Sequence, residues 1–167
     1  MPLRSAIQPG SSEESLLAEL RVLYAETDAL HATTTCPGST ECCRFGVTGR
    51  EPYLTSIELL AVQRAIAAGG GPLSRKRRAL PLAGNTTESE RTCPLLSEGG
   101  RCSIYASRPF GCRTFFCSRA ARLAPPPRSE EKALVLRLRA LAERHTPGGD
   151  APRPLTNAIR VPGPRQR

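Results

Sequence analysis

The chain has 167 residues, with 24 Lys and Arg against 15 acids for a net charge of +9, 30 Pro and Gly together, 4 % aromatic residues and no tryptophan. These values fit one domain with tails, exclude a large apolar core, and leave no run near the roughly 18 apolar residues of a membrane span. The first ten residues lack the apolar stretch of roughly 7–15 residues that a secretory signal needs, so the expected compartment is a reducing cytoplasm.

Residues 1–10 read as a flexible N-terminus. Ser11-Ser-Glu-Glu14 then offers a capping serine and acids for the first turn of a helix. Leu16, Leu17, Leu20, Leu23 and Tyr24 recur at helical spacing, which predicts an amphipathic helix over 12–31. Pro37-Gly-Ser39 makes the following segment a turn. Gly46-Val-Thr-Gly49 and Glu51-Pro-Tyr-Leu54 read as short extended pieces. Thr55-Ser-Ile-Glu58 is a capping box, in which hydroxyl and carboxylate satisfy each other's orphan amides. It opens a second helix through Leu59, Leu60, Val62, Ile66 and Ala67, which Gly69-Gly-Gly71 stops.

Residues 72–92 are polar, basic and turn-rich, and read as a variable loop. A loop and a short helix follow. Pro125-Pro-Pro127 breaks the chain before a third helix at about 129–145, with Leu134, Leu138 and Leu141 on one face. Five prolines from Thr146 onward predict a disordered basic tail over 146–167. The expected architecture is a small, mainly α, irregular and metal-stabilised domain: three helices joined by Cys-rich loops. Its cysteine-bearing unit spans 11–124, and the helix of 125–145 packs on it or extends from it.

All seven cysteines fall in two groups: Cys36, Cys42 and Cys43, then Cys93, Cys102, Cys112 and Cys117. Thiols this dense form disulfides, bind metal or stay free. A reducing compartment and an odd count both favour metal. Thiolates bind zinc in tetrahedral sets of four and iron–sulfur clusters four at a time. Seven exceed one such set and fall one short of two. The second group alone could supply one site, whereas a site shared between groups would close the fold. Adjacent Cys42 and Cys43 diverge on an extended backbone, so both reach one ion only on a turn; otherwise one is spare or serves a second metal.

The spacing does not choose the metal. Paired Cys-x₂-Cys zinc knuckles and the bacterial ferredoxin run are both absent, and Cys112-x₄-Cys117 matches only one piece of a plant-type ferredoxin spacing. Soft thiolates would also accept copper(I). Arg101, Arg108 and Arg113 lie beside cysteines, where guanidiniums would balance the negative charge of a four-thiolate site. His31 near Cys36 is read as a surface or cap histidine before a ligand, and His145 as a helix C-terminal residue.

Cys-x₅-Cys-Cys followed by Cys-Pro-Leu-Leu-x₄-Arg-Cys-Ser-Ile-Tyr-x₂-Arg-Pro-x₂-Cys-Arg-x₃-Cys resembles the YkgJ-type cysteine-cluster family over about residues 30–120. The resemblance implies a zinc- or iron-chelating domain, often labelled iron–sulfur, with all seven cysteines as ligands. The family's first motif is Cys-x₂-Cys-x₂-Cys-Cys, so Ser39 stands where its second cysteine belongs. Either seven thiols suffice, one site is altered, or Ser39 or solvent completes a ligand set. Tyr105, Arg108 and Pro109 match the Tyr-x₂-Arg-Pro stretch, which makes Arg108 and Tyr105 expected neighbours of the ligands. Glu58 matches an acid that follows the first motif and is a further candidate ligand. Similar clusters accompany flagellin lysine methylase, but this chain has no glycine-rich nucleotide loop to support a modifying role independently.

The functional expectation is a cysteine-ligated zinc or iron centre, structural or redox, with no catalytic residue assigned. One alternative is an iron–sulfur oxidoreductase or metal-dependent modifying enzyme. Another is a zinc-stabilised adaptor whose region 128–167 docks on an acidic partner or nucleic acid. Residues 118–167 carry eleven Lys and Arg against four acids. A solvated surface and tail explain that charge more simply, and no aromatics interleave with it as a nucleic-acid stacking platform would.

Overall fold

A computed structural model describes residues 12–69, 91–122, 124–148 and 151–159. The N-terminal ten residues, the basic run at 75–78 and nearly all of the expected variable loop lie outside the described residues. Among those described there are six helices: α1 (Glu13–Leu30), α2 (Phe45–Thr48), α3 (Ser56–Ala68), α4 (Phe110–Thr114), α5 (Arg128–His145) and α6 (Leu155–Ala158). Four two-residue strands, β1 (Thr34–Thr35), β2 (Tyr53–Leu54), β3 (Ala121–Arg122) and β4 (Arg153–Pro154), form two antiparallel pairs, β1 with β3 and β2 with β4. The domain is mainly α, and the three long helices are the three expected ones. No helix among the described residues is long and apolar enough to cross a membrane.

Two apolar clusters divide the interior. In the first, Leu16, Leu17, Leu20 and Leu23 of α1 meet Leu134, Leu138 and Leu141 of α5, with Ile57 of α3 and Phe110 of α4 closing the end. The spacing of these leucines puts them on one stripe of each helix, and burying that stripe supplies most of a short helix's stability. Ion pairs of Arg137 with Glu26 and Arg144 with Glu19 border the same contact. The second cluster, Phe45, Leu54, Val62, Leu95, Ile104 and Leu155, underlies the cysteine loops. Helix α3 serves both, through Ile57 and Val62.

Two expectations are corrected. Residues 46–48 are helical, not extended: Thr48 and Gly49 donate their N–H groups to Arg44 and Phe45 carbonyls, and Gly49 ends the turn at φ 65°, a conformation glycine adopts without penalty. Buried Phe45 anchors this turn. The region after Thr146 is not wholly disordered. Leu155 is fully buried in the second cluster, Leu155 N–H donates to the Pro52 carbonyl at 2.9 Å, and Glu51 accepts from Thr156 N–H at 2.7 Å. Polar, proline-rich composition concealed one apolar anchor with a ready hydrogen-bond acceptor.

The capping box forms as expected, but its carboxylate does more than cap α3. Glu58 is 1 % exposed. Its Oε2 accepts from Thr55 N–H (3.0 Å) and Oγ1 (2.9 Å), while Oε1 accepts from Tyr24 O–H (3.2 Å) and Phe110 N–H (2.8 Å). One side chain therefore joins α1, α3 and α4. Burial pushes its pKa up, and the four donors oppose that shift. Glu58→Ala would leave these buried donors unpaired and should lower unfolding free energy by on the order of 3 kcal/mol in a urea titration. Glu58→Gln keeps two of the four acceptances and should fall between Ala and wild type.

Candidate metal centre

Short backbone pairings deliver the cysteines. Thr35 pairs with Ala121, which sets Cys36 and Cys117 at the same end of the β1–β3 ladder. A bridge between Arg44 and Thr92, with Cys93 N–H donating to the Cys43 carbonyl at 2.7 Å, joins the first cysteine group to the second. A further bridge between Leu96 and Cys102 folds Cys102 back beside Cys93. Helix α4 brings Cys112. Its N-terminal N–H is held by Glu58, and Gly111 lets it approach Pro52 closely, since a Cβ there would stand 3.0 Å from the Pro52 Cβ. All seven cysteines are free thiols.

Cys42 and Cys43 lie on a 3₁₀ turn, Glu41–Cys43, which removes the divergence expected of an extended backbone. Their sulfurs are 3.9 Å apart. Four sulfurs about 2.3 Å from a zinc ion stand about 3.8 Å from one another, so this pair already has the separation of one tetrahedral edge. Among the described residues no three Cys, His, Asp or Glu side chains are gathered closely enough to hold an ion as they stand.

Two cavities adjoin these thiols. One, of about 350 Å³, is lined by Cys42, Cys43, Cys93, Cys102 and Cys112. The other, of about 270 Å³, is lined by Cys36, Cys42, Cys112 and Cys117, together with Ser39. The Ser39 hydroxyl lies 3.5 Å from the Cys117 sulfur, and Gly38 N–H donates to the Cys36 sulfur at 3.4 Å.

The thiols resist ionising together. The hydrogen bond between them lowers the Cys42 thiol to about 6 and raises Cys43. Burial pushes Cys93 up to about 11 and also raises Cys102 and Cys112, with neighbouring thiols adding to each. A cation reverses this, because it favours every thiolate that the thiolates disfavour in one another.

The other candidate residues divide. Arg108 lines both cavities, its charge lowers the Cys42 and Cys102 pKa values, and its Nε is buried without a hydrogen-bond partner. That orphaned donor fits an acceptor such as a metal-bound thiolate. Arg108 also lies over the Tyr105 ring at 4.4 Å and pairs with Asp28 at 3.3 Å. Tyr105, 61 % exposed, lines both cavities as well.

Arg113 borders the smaller cavity beside Cys112, with its guanidinium held by the protein. It is buried, ion-paired with Asp28, stacked 4.1 Å from the Tyr24 ring, and donates to the Arg108 carbonyl (2.9 Å) and the Ala106 carbonyl (2.7 Å). It clamps the loop that carries Arg108. Glu58, with both oxygens occupied by protein donors and lining neither cavity, is placed as a structural residue rather than a ligand. His31 is a buried helix cap and not a surface residue. Its Nε2 lies 3.2 Å from Glu131, and its ring meets Phe116 at 5.4 Å. Asp28, which organises both arginines, went unseen in the sequence because its partners lie 80 and 85 residues away.

The family model CxxCxxCC, described as "Putative zinc- or iron-chelating domain", matches residues 34–133, and the chain belongs to this family. No curated protein and no solved structure matches the chain.

Because burial holds the protons of Cys93, Cys102 and Cys112, metal uptake by these thiols must displace them, and affinity should rise with pH. Calorimetric zinc titrations in buffers of different ionisation enthalpy should show roughly two to four protons released per ion between pH 6 and 8. Arg108→Ala should weaken zinc about 10–100-fold.

Proposed function

We propose that this member of the zinc- or iron-chelating family is a cysteine-ligated metal-binding protein whose centre draws on both cysteine groups. The observation that supports it best is the meeting of the Cys42–Cys43 turn with Cys93, Cys102 and Cys112 beside the unpartnered Nε of Arg108. Four to seven thiols, Glu51 as the one carboxylate among the described residues lining the larger cavity, and a guanidinium in place make a donor set for a soft or borderline ion. Glu51 is itself spoken for, by Thr156 and by Arg91 at 2.5 Å. A bound zinc would cross-link segments the short strands barely hold, and an iron–sulfur cluster would add electron transfer. Cys36 and Cys117 belong to the ligand set on the same reading, with Tyr105 and Arg108 around it.

The zinc and structural reading is preferred over the redox one because the second apolar cluster is small and the thiols lie directly above it, where a cross-link stabilises most. The adaptor reading loses support from the ion pairs of α5. Arg137 and Arg144, two of the cations that would face an acidic partner or nucleic acid, are engaged with Glu26 and Glu19.

Protein purified without oxygen should carry zinc without colour or acid-labile sulfide. Brown protein with stoichiometric iron and sulfide would replace the structural reading with the redox one. Cys93→Ser and Cys102→Ser should each lose metal and cooperative unfolding together, as seen by metal analysis and thermal melting. Variants that stay folded with full metal content would sink the reading.

A further inference from the structure

The metal reading leaves open how seven thiols are shared out, and the two cavities bear on that question. Cys43, Cys93 and Cys102 line the larger one and not the smaller. Cys36, Cys117 and Ser39 line the smaller one and not the larger. Cys42 and Cys112 line both. A tetrahedral thiolate ion takes four sulfurs, so seven thiols complete one set and leave three for a second. Only a thiol that faces both cavities can belong to either set.

Resting on the metal-binding reading above, we propose that the centre has two unequal positions. The inner one is closed by Cys43, Cys93 and Cys102 together with Cys42 or Cys112. The outer one is formed by Cys36, Cys117 and whichever of Cys42 and Cys112 the inner position leaves, and has Ser39 at its remaining position. The outer ion is exchangeable and the inner one is held.

The inequality follows from three observations. Cys93 is buried among apolar side chains, whereas Cys36 is exposed, so water and competing ligands reach the outer position first. The Ser39 hydroxyl, 3.5 Å from the Cys117 sulfur, occupies the place of a fourth thiol, and a neutral hydroxyl is a poor match for an ion already held by thiolates. His31 also lines the outer cavity but faces Glu131, so it offers no ready substitute. Cys36 is held at the outer position by the turn, its sulfur accepting the Gly38 N–H. An inner ion that fixes the fold and an outer ion that comes and goes make a protein suited to receiving or passing on a thiophilic divalent ion.

The test is the full chain, stripped of metal without oxygen and titrated with Co²⁺ and then Zn²⁺, with metal analysis and a timed challenge by a chromophoric chelator. Two ions should bind, one released quickly and one slowly. Cys36→Ser with Cys117→Ser should remove the fast ion and keep the slow one with the fold intact. Ser39→Cys should keep two ions and slow release of the fast one on the order of tenfold or more, since even partners one shell out move affinity on that scale. This variant adds a ligand and so escapes the objection of misfolding. A single ion in wild type, unaffected by the double substitution, would overturn the two-position proposal and leave metal binding standing. A single ion lost equally on substitution in either cavity would also overturn it. No tightly bound ion at all would defeat both.

Discussion

The carboxylate of Glu58 fixes the frame on which the rest is hung. It is buried, it accepts four hydrogen bonds, and its donors come from α1, α3 and the start of α4. A charge-bearing group in an apolar interior costs several kcal/mol unless its lone pairs are filled, and here they are filled by groups that would themselves be orphaned without it. The result is mutual dependence: α4 has a start because Glu58 receives Phe110, and Glu58 tolerates burial because α4 and Tyr24 supply donors. Cys112 lies two residues into that helix, so its position relative to the first cysteine group descends from the same carboxylate. Arg113, one residue further, extends the arrangement by bonding the carbonyls of Ala106 and Arg108 and pairing with Asp28 on α1.

Below this frame the loop region has little else to hold it. Its strands are two residues long, its bridges are single, and the second apolar cluster is built from a few side chains contributed by segments far apart in sequence. Such contacts repay the entropy of ordering a loop only narrowly. A division of labour results: leucine stripes and Glu58 make α1, α3 and α5 self-sufficient, while the cysteine loops are positioned well enough to bind but not rigidly enough to need nothing more.

The three long helices were legible because each depends on local pattern. Leucines at helical spacing, a capping serine before α1, and the Thr55–Glu58 box before α3 all act within four residues. The candidate site was legible as a composition and not as a geometry. Which cysteines meet depends on pairings such as Thr35 with Ala121 and Arg44 with Thr92, and nothing in a two-residue strand announces its partner. Glu58 could be named from its box, but the donors that remove it from the ligand set come from residues 34 and 52 positions away. Leu155 was missed for the opposite reason, since a local rule about proline-rich polar segments was overruled by one buried side chain. His31 is the cap that was one of its two readings, and it is buried because the stripe that buries α1 continues into that cap.

Charge balance explains why Arg108, just before α4, and Arg113, five residues later within it, have taken different work. Arg113 is enclosed, and its guanidinium meets a carboxylate, two carbonyls and an aromatic face, so its charge is consumed by the fold. Arg108 borders the cavities, shares Asp28 only at the edge, and keeps one buried N–H unspent. Four thiolates on a divalent ion carry two excess negative charges, and in a partly buried setting that excess must be met nearby. A guanidinium cannot lose its proton to do so, which makes it a constant counter-charge where a lysine could have neutralised itself on burial. The buried Nε–H of Arg108 without a hydrogen-bond partner stands beside the cysteine cavities, where an anionic acceptor would meet it.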